Sequence, residues 1–372
     1  MRTSSTAISD LAAQTESIEL EGLPDAELAV APRSQEEAAR ILRLASEHGI
    51  PTLVWGGGSH QGIGGRVEAD LVLSTSRFDQ ITEWEADDLT LVVEAGLSVS
   101  AVEAQLAERG QTALLPEGGD GTVGGVVATG VSGWQRLRYG PTRDRVLEVV
   151  LVTGDGRTIR GGGRVVKNVT GYDLPRLAAG SLGSLGIICQ VCLKLWPRPD
   201  ATATVTLDDA EQAVAAYRPL AVIEDASGTR VYLGGHPADV EAQVAELDGQ
   251  AEPRLVWPES LTDPIKLSLR VPVRLLPEGR SRIPTGWTYQ IQHGVGEVLL
   301  GCGPDDLQAA EDLRGWAEEV GGSLVIVDAP DEVYAQLDPW GTAPASLDIQ
   351  RRIVSLFDPM RILNPGRLPG GL

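Results

Sequence analysis

The sequence predicts an α+β protein in two parts, and three observations point there. The chain has 372 residues, more than the usual domain of about 100–200 residues. Strand and helix patterns alternate along it, with dense glycine clusters that thin out beyond about residue 200. A proline pair, Pro197 and Pro199, stands where the texture changes. We therefore expect a first domain at 20–199, a smaller antiparallel α+β cap at 200–340, and a tail at 341–372.

The elements of the first domain come from periodicity and punctuation. Glu27–Ala31 reads as a short strand. Ser34 opens a helix, with Glu37 three residues on as a capping box. Ala38, Ile41, Leu42 and Ala45 make its apolar stripe, and Gly49 ends it. Pro51–Trp55 is a second strand that runs straight into Gly56, Gly57 and Gly58, completing a small βαβ unit with a glycine loop. Further strands are expected at Leu71–Leu73, Leu89–Glu94, Val146–Val152 and Gly186–Trp196. A helix covers Ser98–Arg109, and Gly154-Asp155-Gly156 makes a hairpin turn. In the cap, strands fall at Ala203–Leu207, Arg230–Leu233, Leu267–Val273 and Glu297–Cys302, with helices near Asp208–Tyr217, Ala238–Leu247 and Asp305–Val320. Only the first twenty residues have the composition of a disordered segment.

Charge and cysteine content exclude several functions. The formal charge is −21, which repels nucleic acid and anionic lipid. Three cysteines make no disulfide framework and suit a reducing cytosol. Cys189-x-x-Cys192 has no second Cys/His pair beside it, so it reads as two small residues in a buried strand. No window reaches the roughly 18 apolar residues of a membrane span.

Glycine loops placed after strands let backbone N–H groups approach a phosphate. Two occur about sixty residues apart, Gly56–His60 and Pro116–Gly125. Together they could grip the two phosphates of one dinucleotide; singly, each could be only a tight turn. The second contains a literal G-x-G-x-x-G, Gly119 to Gly124, but it opens no long helix because Gly130 and Gly133 interrupt the segment after it. Asp144, the acidic residue nearest the expected place, precedes a strand instead of ending one, so the Rossmann reading fails.

The stretch Val165-Val-Lys-Asn-Val-Thr-Gly-Tyr-Asp-Leu-Pro-Arg, continuing to Gly180-Ser-Leu-Gly-Ser-Leu-Gly-Ile187, resembles the FAD-binding subunits of glycolate oxidase. These belong to the vanillyl-alcohol-oxidase flavoproteins with their PCMH-type FAD domain. The rest of that pattern is present in order: Gly56–His60, then Pro116, Thr122, Gly124 and Gly125, then Tyr139-Gly140, then Gly171-Tyr172-Asp173. The ending Phe357-Asp-Pro…Asn364-Pro-Gly-Arg367 is similar too. The resemblance covers about 25–199 and 345–368, and the middle only weakly.

The resemblance implies a two-subdomain FAD domain, a cap, and a tail that returns to the FAD domain. It implies that Gly56, Gly57, Gly58, Ser59 and His60, with Pro116, Gly119, Thr122, Gly124 and Gly125, wrap the pyrophosphate and ribityl chain. Tyr139, Gly140, Gly171, Tyr172, Asp173 and the backbone around Ile187 would lie near the adenine or the flavin ring. Some relatives bind flavin covalently through a differently spaced histidine; His60 comes one place later, after Ser59, so a non-covalent neighbour is expected.

Oxidising a 2-hydroxy acid needs a cation for the carboxylate and an acceptor for the hydroxyl proton. His48 ends a surface helix, and His236 precedes a proline in a loop. His293, in Gln290-Ile-Gln-His-Gly-Val-Gly296, is the histidine that could face the flavin. Catalytic relatives carry metal-ligating histidines in that region, but no matching second ligand stands here, so no metal site is expected. Lys266, Ser268, Arg270 and Arg274 alternate onto one strand face, where Arg270 could receive a carboxylate or simply pair with neighbouring acids. By resemblance the chain is expected to be the FAD-binding subunit of a cytoplasmic glycolate oxidase complex, beside a second flavin subunit and an iron–sulfur subunit. Any membrane association would come through those partners. The alternatives are a free-standing FAD-dependent dehydrogenase for D-lactate or another D-2-hydroxy acid, and a non-catalytic scaffold that carries FAD.

Overall fold

The computed structural model describes residues 3–19, 26–116, 121–164, 171–208 and 210–372. Gly119 and Val165–Thr170, both part of the sequence pattern, lie outside the described residues.

The βαβ unit forms a small parallel sheet. Strands β1 (Leu28–Val30) and β2 (Thr52–Trp55) flank β3 (Leu71–Ser74) and run parallel to it. Between β1 and β2 runs the helix Gln35–His48, whose cap Ser34 accepts a hydrogen bond from the Glu37 N–H at 3.2 Å. Gly49 closes the helix at φ 62°, a left-handed conformation that suits glycine. Ala38, Ile41, Leu42 and Ala45 are wholly buried in the core that this helix shares with the sheet. Burying a side chain such as Ile41 or Leu42 is worth about 1.5–3 kcal/mol. The helix Thr3–Ala12 adds Ile8 and Leu11 to the same core, which corrects the expectation of disorder at the start of the chain. Three residues apart, those two side chains share one helix face.

The next layer is antiparallel. It contains β4 (Ile81–Glu85), β5 (Thr90–Glu94), β7 (Val146–Val152), β8 (Thr158–Gly162) and β9 (Ile187–Lys194), in the order β4-β5-β9-β7-β8, while β6 (Gln111–Thr112) pairs separately with β10 (Trp196–Pro197). Strand β9 is flanked on both sides, so Cys189 and Cys192 within it are buried. Burial pushes their thiols up to about 12 and about 11, which leaves them protonated at neutral pH. The helix Val123–Thr129 starts at Thr122, whose hydroxyl accepts from the Gly125 N–H, and Gly130 closes it at φ 69°. Seven residues long, it is not the long helix that a Rossmann unit requires.

Eight further strands make one antiparallel sheet: β11 (Ala201–Leu207), β12 (Ala221–Asp225), β13 (Gly228–Gly235), β14 (Gln250–Glu252), β15 (Ile265–Arg270), β16 (Thr288–Gln292), β17 (Glu297–Cys302) and β18 (Ser323–Asp328). Their order is β14-β11-β13-β12-β16-β17-β15-β18. One face carries Leu267, Leu269, Val298, Leu300 and Leu324, packed with Leu313, Trp316 and Ala317 of the helix Leu307–Glu319. Residues paired across an antiparallel ladder share a face. The register Arg270↔Glu297↔Gln292↔Ile223 therefore puts a polar row on the other face. Ile223, Ala221 and Tyr232 on that side pack with Trp134 and Tyr139 from the FAD-domain half of the chain. Strand β15 stops at Arg270, before Pro272, so Arg274 falls in a 3-10 turn and does not share the strand face expected for it.

The tail comes back to the parallel sheet. Leu363 bridges to Thr52 in parallel, and Ile362 and Leu363 are buried in the core under Gln35–His48.

Candidate functional site

The end of β2, the helix Val123–Thr129 and the turn at 182–188 converge on a cleft of about 670 Å³, counting the space open at its mouth. Cofactor clefts typically measure about 300–1,000 Å³. Seven glycines are among the residues that line it. A Cβ on Gly56 would lie 2.6 Å from Thr122 Oγ1, so the two glycine loops touch only because that side chain is missing. At Gly183, φ is 74° and a Cβ would come within 2.5 Å of Asn364 Nδ2.

The tail seals this cleft. Asn364 accepts from the Val54 N–H at 2.8 Å through Oδ1 and donates to the Leu182 carbonyl at 2.5 Å through Nδ2, clamping two walls together. Arg367 is buried and donates to the carbonyls of Gln61 at 2.6 Å and Ile63 at 3.0 Å, and to Gln61 Oε1 at 2.5 Å. Burial, then the neighbouring Arg66, lowers its pKa to about 10, so it stays charged at neutral pH. Among the described residues no carboxylate forms an ion pair with it. His60 accepts from or donates to Ser59 Oγ at 3.0 Å through Nδ1. Burial lowers its pKa below 6.5, so the ring is neutral at pH 7. Glycine-lined walls with one buried cation that lacks a counterion fit a dinucleotide diphosphate.

Gly56, Gly57, Gly58, Ser59, His60, Thr122, Gly124 and Gly125 all line the cleft. Ile187 is wholly buried in the core, while its neighbours Gly186 and Ile188 line the cleft. Pro116 and Tyr139 instead line a second cleft of about 1410 Å³, together with Arg198, Leu255 and Trp257. Gly140 turns the chain at φ 79°, and its carbonyl accepts from Arg145 at 2.7 Å. Gly171, Tyr172 and Asp173 lie at the surface, Tyr172 being 92% exposed and Asp173 capping the helix Leu174–Ala178. Asn364 and Arg367 are site residues that sequence reasoning missed, although their Asn-Pro-Gly-Arg setting is a visible signal.

Arg270 lies on the polar face, where it donates to Glu297 Oε1 at 3.0 Å and 2.8 Å. The same carboxylate accepts from Ser268 at 3.0 Å, Gln292 at 3.3 Å and Arg136 at 3.4 Å. His293 is elsewhere. Its Nε2 lies 2.9 Å from Glu224 Oε2, and Glu224 is paired across the ladder with Ile291, on the helix-covered face. Burial works against the Glu224 carboxylate, but hydrogen bonds from His293 and Arg280 outweigh it and hold its pKa below the usual value. Arg270 and the His293–Glu224 pair are thus on opposite sides of one sheet.

Residues 26–162 match the FAD-binding-domain family FAD_binding_4. An uncharacterized FAD-linked oxidoreductase of Mycobacterium tuberculosis is 36% identical over 89% of this chain and 71% of its own length. The glycolate oxidase subunit GlcE of Escherichia coli is 29% identical over 77% of this chain and 84% of that protein. A solved structure of alkyldihydroxyacetonephosphate synthase superposes with a TM-score of 0.67 at 17% identity, over 91% of this chain and 76% of that one, and shares the fold. Among the described residues no helix is long and apolar enough to cross a membrane. The chain belongs to the FAD-linked oxidoreductases that carry a PCMH-type FAD-binding domain, and FAD is its cofactor.

Proposed function

We propose that this chain is the FAD-binding subunit of a complex that oxidises glycolate to glyoxylate, beside a second flavin subunit and an iron–sulfur subunit. Its likeness to GlcE along most of both chains favours this reading. The observation that carries it is the contrast between a glycine-lined cleft that fits a dinucleotide and a polar face whose best-placed cation is already used. Arg270 donates to Glu297, as do Arg136, Ser268 and Gln292, so a substrate carboxylate would have to compete with a buried acid.

In this reading, Gly56–Ser59 and Thr122–Gly125 bring backbone against the diphosphate, and Arg367 supplies the fixed positive charge. Neutral His60 contributes a hydrogen bond beside the ribityl chain. Gly186 and Ile188 border the cofactor cleft, while Pro116 and Tyr139 line the second cleft. Bound FAD supplies the two-electron acceptor for oxidation of a hydroxyl-bearing carbon. The carboxylate receptor and proton acceptor come from the second flavin subunit.

Purification of the native protein tests this. The expected preparation is yellow and brings down a second flavin polypeptide and an iron–sulfur polypeptide. A lone yellow polypeptide retaining all of the cell's glycolate-oxidising activity would overturn the reading.

A further inference from the structure

Most arginines of this acidic chain are engaged by carboxylates, carbonyls or aromatic rings. The surroundings of the turn between β16 and β17, His293–Gly296, are different. Arg138, Arg218 and Arg274 have no side-chain hydrogen bond, ion pair or ring contact among the described residues. With 52 acidic side chains against 31 basic ones, local pairing would have been easy. Arg138 and Arg218 share one surface pocket, and among the described residues neither is paired, so both are available to a partner.

The turn packs against their chain neighbours. A Cβ on Gly294 would lie 2.7 Å from Leu137 Cδ1, and one on Gly296 would lie 3.5 Å from Val273 Cγ2. Leu137 precedes Arg138 and Val273 precedes Arg274. Arg138 and Arg218 line a surface pocket of about 780 Å³ whose apolar walls are Leu137, Val214, Pro219 and Val222. Val214 in its wall is 52% exposed, and Tyr217, next to Arg218 in the chain, is 71% exposed. Exposed arginine and tyrosine around an apolar pocket is the composition of an interface anchor.

We propose that this pocket docks an acidic segment of a partner subunit. Its carboxylates pair with Arg138 and Arg218, and an apolar side chain from the same segment fills the pocket. Charge complementarity selects that partner: a surface of net charge −21 repels an acidic segment nearly everywhere else and steers it here. The proposal rests on the complex-subunit reading, and the test separates the two.

The test uses the full FAD-loaded chain and two charge-reversal variants. R138E/R218E alters the pocket, while R352E/R361E makes the same charge change at two other unpaired arginines, on the C-terminal helix and the turn after it. A fluorescein-labelled peptide of alternating aspartate and phenylalanine is titrated against each by anisotropy, beside a version with asparagine for aspartate. We expect saturable binding of the acidic peptide to wild type and R352E/R361E, at least tenfold weaker binding to R138E/R218E, and no binding of the neutral peptide. Absence of saturable binding, or equal binding by R138E/R218E, overturns the site. Co-purification from the native host then tests the partner: R138E/R218E should keep its FAD and lose the associated polypeptides. Polypeptides retained by R138E/R218E would overturn docking here. Wild type isolating alone would sink the subunit reading, and the peptide result would still decide the pocket.

Discussion

In the glycine-lined cleft, Arg367 carries a buried positive charge held, among the described residues, by the carbonyls of Gln61 and Ile63 and the Gln61 side chain. On the polar face of the large sheet, Arg270 and Arg136 meet a carboxylate, Glu297, that also satisfies Ser268 and Gln292. Both regions bury charge, but one awaits an anion from outside and the other has its anion built in. A buried charge without a counterion costs several kcal/mol unless something compensates it. The cleft is therefore a place where a ligand contributes to stability, and the polar face is one where a ligand must compete with the protein.

The contrast breaks most visibly at Gly125. Gly125→Trp places an indole against a wall of the cleft, where even a Cβ would sit 3.2 Å from Thr122 Oγ1. We expect FAD affinity to fall by more than about 100-fold, about 2.7 kcal/mol, with an unchanged far-ultraviolet circular dichroism spectrum. Flavin fluorescence titration of the apoprotein measures it. In the wild type, acid precipitation should leave all flavin in the supernatant; flavin held in the pellet and released by His60→Ala would show a covalent bond.

Asn364→Ala comes next. It removes the partner of the part-buried Val54 N–H and of the buried Leu182 carbonyl. Leaving such groups unsatisfied costs about 1–3 kcal/mol each, so urea unfolding of the apoprotein should lose about 2–3 kcal/mol. No change in the urea midpoint would mean that the tail does not clamp the cleft.

Much of the fold was legible because the signals are local. The helix Gln35–His48 has its cap, its stripe and its closing glycine in the sequence, and β7 is an apolar run, interrupted only by Glu148, over the residues expected. Strands β4, β8 and β14 were not legible, since half-exposed segments such as Ile-Thr-Glu-Trp-Glu and Thr-Ile-Arg-Gly-Gly show neither clean alternation nor an apolar run. The glycine loops of the cleft could be read because backbone approach demands that residue type. Roles set by distant contacts could not. Arg367 bonds a residue 306 positions away, and what Arg270 does depends on Glu297, 27 positions along. The same limit hid the separation of His293 from Arg270, which only the strand register reveals.

Glu297→Gln probes the polar face. It removes the acid between Arg136 and Arg270, but Arg270 is 55% exposed and water screens it. Breaking a buried pair costs about 3–5 kcal/mol; with that screening we expect about 1–2 kcal/mol in denaturant melts, with FAD affinity unchanged. A matching loss of FAD would tie the two regions together and blunt the comparison.

The smallest effect is in pH. His60 has a folded pKa below 6.5, so the unfolded chain takes up its proton first as pH falls. Its contribution to stability is complete above about 6.5 and declines as pH drops through the lowered value. Between pH 7.5 and 5.5 the wild type should lose more stability than His60→Asn, by under about 1 kcal/mol. Parallel pH profiles would mean that His60 is not held neutral in the cleft.

The proposed division of labour puts the cofactor in this chain and the substrate chemistry in a partner. Anaerobic mixing of the FAD-saturated chain with glycolate in a stopped-flow instrument, with and without the co-expressed partner subunits, tests it most directly. The expected result is flavin bleaching far slower than about 1 per second for the chain alone, and at ordinary enzyme rates in the complex. Bleaching of the lone chain at about 1 per second or faster would contradict the account and make it a free-standing dehydrogenase.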